Sequence, residues 1–402
     1  MALLQDLIDE VLCRVPVKPL LRFRCVSKDW CSRIDSNAFI KKHLKTTLEC
    51  NNGGGLIIND EGGRCYVVDS ESLDGEGDDV VAVLLKNPLM SLIHGAEFFG
   101  AAKGLGCVAK NDMNEILVFN PLTRKARKIP TAPIEFPRCF YMGETSICGF
   151  GYDHVNDDYK IVKIAHCQFR FRGFMVMVYS LKTNSWKRIQ NVPSDISFLM
   201  KWAVFAGGAL YWLASKNQGK GLETIAGFDL EVEQFKEVPF PGVDEKFVAF
   251  NTRIMVPVGD SLCIFDNYPN YSIDVWLMNK DGSENPWYKA FTVKQPSPLD
   301  FEFLRPLAFS KSQTVVLLQV GNTKLMWYDL EKKTFKNVRI RGIPENFYAY
   351  LYTESLLHLA DDKPLQELPQ DKPLQKPSQD KQQKKQKKKR DDFLSRGFSL
   401  KL

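Results

Sequence analysis

The sequence predicts an α+β multidomain chain: three short N-terminal helices, then an all-β, six-bladed propeller, then a disordered basic tail. Three observations predict it. Up to Leu44 the apolar residues recur at helical spacing. After Thr46 they form short alternating or continuous runs rich in Val, Ile, Phe, Tyr and Trp, punctuated by Gly, Asn and Asp. Within that stretch one strand–turn–strand phrase returns about every 50 residues, a blade-sized period. The expected boundaries are 1–45, 46–358 and 359–402.

Leu7, Val11 and Leu12 lie on one face of a first helix, with Asp6, Asp9 and Glu10 opposite them. Those acids sit in the first turns, where the helix dipole favours negative charge. Pro16 lacks an N–H and stops the helix near Arg14. Pro19 suits the first turn of a second helix carrying Leu20, Leu21, Phe23 and Val26. Ser27 can cap a third, running to about Ser36 with Trp30 and Ile34 on one face. Phe39, Ile40 and Leu44 extend the apolar pattern. So small a unit cannot bury enough surface to be secure alone. Its remaining apolar face needs cover, from the next domain or from a partner protein.

The text RVPVKPLLRFRCVSKDW, from Arg14 to Trp30, resembles the F-box of plant F-box proteins, and the match runs from Leu7 to Leu44. The resemblance implies docking on the Skp-type adaptor of a Skp–cullin–F-box ubiquitin ligase, and through it on a cullin–RING scaffold. Matched position by position, it implies an adaptor-facing set of Leu7, Ile8, Val11, Leu12, Pro16, Val17, Leu20, Leu21 and Val26, with Phe23 and Trp30 holding the helices together. Two positions depart: Leu3-Leu4 stands where the family has Leu-Pro, and Pro19 where it has Ser.

The repeated phrase has two apolar or aromatic residues, then Asp, Asn or Ser, a short turn, and an aromatic followed by Lys. It reads VFNPLTRKARKI from Val118, VYSLKTNSWKRI from Val178, GFDLEVEQFKEV from Gly227 and WYDLEKKTFKNV from Trp327. Weaker copies start at Val67 and Val275. Each phrase reads as the outer hairpin of a kelch-like propeller blade. The turn residue bonds its own backbone, and the aromatic packs on the neighbouring blade. The first copy departs, with Ala126 where others have Trp186, Phe235 or Phe335. Upstream of each phrase lie more apolar runs, LGCVAK, YKIVKIA, GALYWLA, DSLCIF and TVVLLQV, which read as inner strands. Joining residues 54–90 to 345–358 would close the ring and remove its exposed edges. In order, FNPLTRKARKIP, GFGYDHVNDDYKIVKI, VYSLKTNSW, GALYWLA and YTESL are similar to the plant F-box-associated interaction domain over residues 95–357.

Composition narrows the function. No apolar run reaches the roughly 18 residues of a membrane helix, so no membrane partner is expected. The ten cysteines form no CxxC and no zinc spacing with His. Cys107, Cys148 and Cys263 sit in apolar strand text as small buried hydrophobes, which suits a reducing compartment. Lys and Arg outnumber Asp and Glu by 12 to 7 from Asp361 onward, but by 42 to 41 before it. A near-neutral body argues against specific nucleic-acid binding. The five His are far apart, and Asp157-Asp158 reads as a turn. No catalytic residue, metal site or cofactor is expected, and the resemblance implies a non-catalytic receptor subunit.

Three loops combine aromatics with Arg or Asn, the composition of binding hot spots. They supply candidate target-binding residues Phe140 and Tyr141, Phe169 and Arg170, and Tyr268 and Tyr271. For FRFR at Phe169 the plain alternative is an edge strand. From Asp362 the tail runs as a nine-residue repeat anchored at Asp362, Asp371 and Asp380, too poor in apolar residues to fold. Lys384, Lys385, Lys387, Lys388, Lys389 and Arg390 form a candidate nuclear signal or a solvated charge run, so cytoplasm and nucleus are both expected locations. The target protein itself cannot be read from the sequence. Two other classes stay open: a ligase-independent interaction propeller with a degenerate F-box, and a propeller enzyme or sugar binder.

Overall fold

The computed structural model describes residues 2–50, 54–69, 80–85, 92–110, 114–134, 145–166, 174–190, 193, 195–216, 223–241, 253–268, 272–279, 286–294, 304–310 and 314–359. The basic tail, and with it Lys384 to Arg390, lies outside them.

Four helices open the chain, not three: α1 Ala2–Leu12, α2 Val17–Phe23, α3 Lys28–Ile34 and α4 Asn37–Glu49. The third is capped as its sequence indicates, Ser27 Oγ accepting from the Trp30 N–H at 3.1 Å. The same chemistry repeats one helix later. Ser36 Oγ accepts from the Phe39 N–H at 3.2 Å and starts α4, so the helical unit runs to Glu49 rather than residue 45. A Ser within the reading of one helix was the cap of the next.

Six antiparallel sheets follow, one per blade. Blade 2 is Glu97–Ala102, Leu105–Lys110, Glu115–Asn120 and Lys125–Ile129 from the centre outward. Blade 3 is Thr145–Asp153, Asp158–His166, Phe174–Ser180 and Ser185–Ile189. In blade 4 two short strands, Ile196–Phe198 and Val204–Ala206, share the inner edge of Ala209–Lys216, followed by Glu223–Asp229 and Gln234–Val238. Blade 5 is Arg253–Val258, Ser261–Tyr268, Ser272–Met278 and Trp287–Lys294; blade 6 is Leu304–Phe309, Val315–Val320, Lys324–Asp329 and Phe335–Val338. Blade 1 takes Gly54–Asp60, Cys65–Asp69 and Val83–Leu84 from the start and its innermost strand, Phe347–Thr353, from the end. Gly54 pairs with Thr353 and Asp60 with Phe347, so the ring closes where the sequence places the closure. A short parallel pair, Ile340–Arg341 with Val80–Val81, adds a second tie.

The apolar runs follow from the stacking. Successive side chains of a strand point to opposite faces, and both faces of a blade are covered. Phe98 and Val108 pack toward blade 1, while their neighbours Phe99 and Cys107 pack toward blade 3. Cys107, Cys148 and Cys263 are fully buried, and desolvation pushes the Cys148 thiol up to about 12. Gly149 of GFGYD is dictated by the same packing, since a Cβ there would sit 2.7 Å from Ala203 Cβ in blade 4.

The phrase is the outer hairpin. Asn120, Asp229 and Asp329 each accept from the backbone N–H groups two and three residues on. Ser180 accepts from Thr183 N–H. Four residues after each, the chain turns left-handed, at Arg124, Asn184, Glu233 and Lys333, with φ between 53° and 58°. Trp186 reaches the preceding blade, its indole N–H donating to Pro130 O at 2.7 Å. In blade 5 this role falls to Trp287, which donates to Pro239 O at 2.6 Å, while Tyr288, the aromatic directly before Lys, is exposed. Asp157 is a turn residue, as its sequence indicates, with φ 50°.

Candidate functional site

The helices bury one set of apolar side chains and leave another exposed. Leu12, Cys13, Val17, Leu20, Ile34, Phe39 and Ile40 form a core. Leu12, Val17 and Leu20, matched above to an adaptor-facing set, are at most 3% exposed and hold the unit together instead. Phe23 and Trp30 pack edge-to-face on this core with centroids 5.7 Å apart. Leu7, Val11 and Val26 point outward, 57%, 65% and 65% exposed, and Pro16 is exposed beside them in sequence. Ile8 and Leu21 are half-buried. Three large apolar side chains of this small unit are thus left in water.

The propeller supplies the rest of the cover. After the closing strand the chain continues as Glu354–Leu359, and Leu356, 1% exposed, completes the helical core. Leu357 and Leu122 pack against the same core. Asn120 clasps this segment: its amide donates to Ser355 O at 3.0 Å, Ser355 Oγ at 3.1 Å and Leu357 O at 3.0 Å. Ser355 Oγ in turn donates to Gly104 O at 3.0 Å. At the rim Lys41 of α4 pairs with Asp157, and His358 lies 3.5 Å from Asp35. The charge of Lys41 and a hydrogen bond from Tyr152 hold the Asp157 carboxyl below its usual range.

His43 of α4 is 2% exposed, and its Nε2 lies 2.8 Å from Val15 O. His43 lines a cavity of about 290 Å³ together with Val15, Thr47 and Glu354. Burial lowers the His43 pKa, outweighing the hydrogen bond to Val15 O that raises it. A depressed imidazole pKa stabilises the fold above the unfolded value of about 6.5 and loses that contribution as pH falls through the folded value. We expect the helical unit to lose up to about 1.4 kcal/mol per pH unit in that window. Thermal unfolding at pH 7.5 and 5.5 checks this: His43→Gln, which can still donate to Val15 O, should lose less than the wild type. Equal losses would show that folding leaves the proton affinity of His43 unchanged.

The helices contact the turns at Asn120–Arg124 and Asp153–Asp157, which join third to fourth and first to second strands. Four antiparallel strands return the chain to the end at which a blade began. Second-to-third and blade-to-blade connections therefore share the opposite end. Residues 135–144, 167–173 and 269–271 lie outside the described residues, with Phe140, Tyr141, Phe169, Arg170 and Tyr271 among them, as does the side chain of Tyr268. The strands they join are described. Thr145, His166 and Phe174 form one row at the end of blade 3, and Tyr268 pairs with Ser272 at the same end of blade 5. The strand ends that flank the three candidate loops thus lie at the end opposite the helices. Among the described residues no three His, Cys, Asp or Glu side chains are grouped as metal ligands would be.

Comparison with known proteins adds two family matches, the F-box domain over residues 3–42 and the F-box associated beta propeller domain over residues 95–359. The F-box protein CPR1 of Arabidopsis thaliana is 34% identical, over 99% of this chain and 98% of its own length. F-box protein At4g22390 of the same plant is 31% identical over 99% and 98%. F-box/kelch-repeat protein At3g23880, also of that plant, is 24% identical over 78% of this chain and 84% of its own.

Proposed function

Since the chain belongs to the plant F-box proteins with an F-box associated beta propeller domain, we propose that it is the substrate-recognition subunit of a Skp–cullin–F-box ubiquitin ligase. The helical unit docks on a Skp-type adaptor, and the adaptor links it to a cullin–RING scaffold. The propeller holds a target protein at the end opposite the helices, through the connections that carry Phe140, Tyr141, Phe169, Arg170, Tyr268 and Tyr271. Ubiquitin transfer itself is the work of other subunits. This chain contributes proximity, raising the effective concentration of target lysines at the conjugating enzyme. Lys384 to Arg390 serve as a nuclear import signal, so the chain works in nucleus and cytoplasm.

The exposure of Leu7, Val11 and Val26 carries this reading. Interfaces draw their energy from such side chains once a partner removes them from water. The full chain should co-purify with a plant Skp-type adaptor, and Leu7→Asp with Val11→Asp should weaken binding roughly 100-fold or more. Both positions are exposed, so the melting temperature should stay unchanged. Leu20→Asp is a poor probe, because it puts a charge in the helical core. No adaptor binding by folded wild type would sink the proposal. It would favour an interaction propeller with a degenerate F-box, a reading to which Leu3-Leu4 in place of Leu-Pro lends weight.

A further inference from the structure

Blades 1 and 6 meet at an arginine with no carboxylate partner among the described residues. Arg305 is the second residue of the blade 6 inner strand. A bulge between Pro306 and Ala308 breaks that strand's register just after it, and bulges re-aim side chains. The guanidinium donates to Ala349 O in blade 1 and lies over the Tyr350 ring, 5.0 Å from its centroid. Burial lowers its pKa, opposed by Tyr350, which also shares a side-chain hydrogen bond with it, and by Tyr348. Its Nε–H is buried with no acceptor.

Closing the seam does not need this charge. Gln319, fully buried, holds the same edge: it donates to Phe347 O at 2.8 Å and accepts from Ala349 N–H at 3.1 Å. A neutral amide suffices there, whereas a desolvated cation without a counter-charge is costly to keep. The site is also reachable. Arg305 is part-exposed, and beside it Tyr348 is 40% exposed, its hydroxyl accepting from the Asn322 amide at 3.1 Å. Glu97, which also acts on Tyr350, is engaged by Lys201 at 2.8 Å.

We infer that this seam between blades 1 and 6 binds an anionic group of the target protein, a carboxylate or a phosphate, with Arg305 as its counter-cation. The inference rests on the reading that this end of the propeller holds the target. Arg305 lies at that end, since its strand starts there and the Tyr348–Asn322 pair joins it to a second-to-third connection. An arriving anion would lie against the part-exposed side of the guanidinium and supply a counter-charge that no described residue gives.

Thermal unfolding of the full chain in sodium phosphate and in sodium citrate, against sodium chloride at matched ionic strength, tests it. One of the two should raise the melting temperature by about 2 °C beyond chloride. A phosphate response assigns a phosphorylated target, and a citrate response a carboxylate. Arg305→Gln can still donate to Ala349 O and should lose the response. Amide exchange in the same solutions should slow at Tyr348 to Tyr350 of the wild type, a readout that needs no variant. No anion-specific shift in the wild type, or an equal shift in Arg305→Gln, would overturn the assignment. Adaptor co-purification from the same preparations separates the two readings: adaptor binding without an anion response sinks this inference alone.

Discussion

A chain ending at Ile343 should yield no cooperatively folded propeller. It lacks the strand Phe347–Thr353, whose seven residues all pair with Gly54–Asp60. Phe347 and Ala349 are fully buried and Tyr352 nearly so, and they fill the two seams that blade 1 makes with blades 6 and 2. Without them the edge of Gly54–Asp60 is open to pairing with other chains. Leu356 and Ser355 are lost as well, so the helical unit loses part of its core and the Asn120 clasp. The measurement is recovery of soluble monomer and its urea transition, beside a chain ending at Leu359. We expect the shorter chain to aggregate or to unfold without a sigmoidal transition. Adding a peptide of residues 345–359 should restore part of the transition. A folded, monomeric short chain would mean that the ring is held without its closing strand.

Asn120→Ala should destabilise the chain by roughly 3–4 kcal/mol, a large effect for one polar side chain. Asn120 is 1% exposed. Its carbonyl accepts from the Leu122 and Thr123 N–H groups, and its amide serves two carbonyls and a hydroxyl of the C-terminal segment. Alanine leaves several of these groups buried without partners, each costing about 1–3 kcal/mol. Asn120→Asp separates the two roles. It keeps the acceptor for the turn but sets a carboxylate against Ser355 O and Leu357 O. Urea denaturation should rank Asp no better than Ala, and amide exchange of α2 and α4 should quicken in both. An aspartate variant as stable as wild type would reduce Asn120 to a turn residue.

How far the sequence reaches can be judged from particular residues. The turn residues Asn120, Ser180, Asp229 and Asp329 announce their hairpins because the bonds they make are local, spanning two or three positions. Cys107, Cys148 and Cys263 were legible as buried because a strand covered on both faces is apolar at every position. Trp287 was not distinguishable from Tyr288, since either could face the preceding blade until the pairing of Leu277 with Tyr288 and Met278 with Trp287 set the register. Arg305 gave no signal at all, because its neighbours Tyr350 and Ala349 stand more than 40 positions away.

The sequence by itself determined the helical start, the blade period, the outer hairpins and the closure of the ring by its two ends. Each of these rests on local periodicity or on the need to leave no sheet edge unpaired. Tertiary structure alone decided which helical residues face outward. Leu7 and Val11 on one side and Leu12 and Leu20 on the other are equally apolar, and helical spacing does not say which set is core. Leu12 and Leu20 are core because they share a cluster with Ile34, Phe39 and Ile40 and with Leu356, more than 300 residues away in sequence, which arrives there after the closing strand.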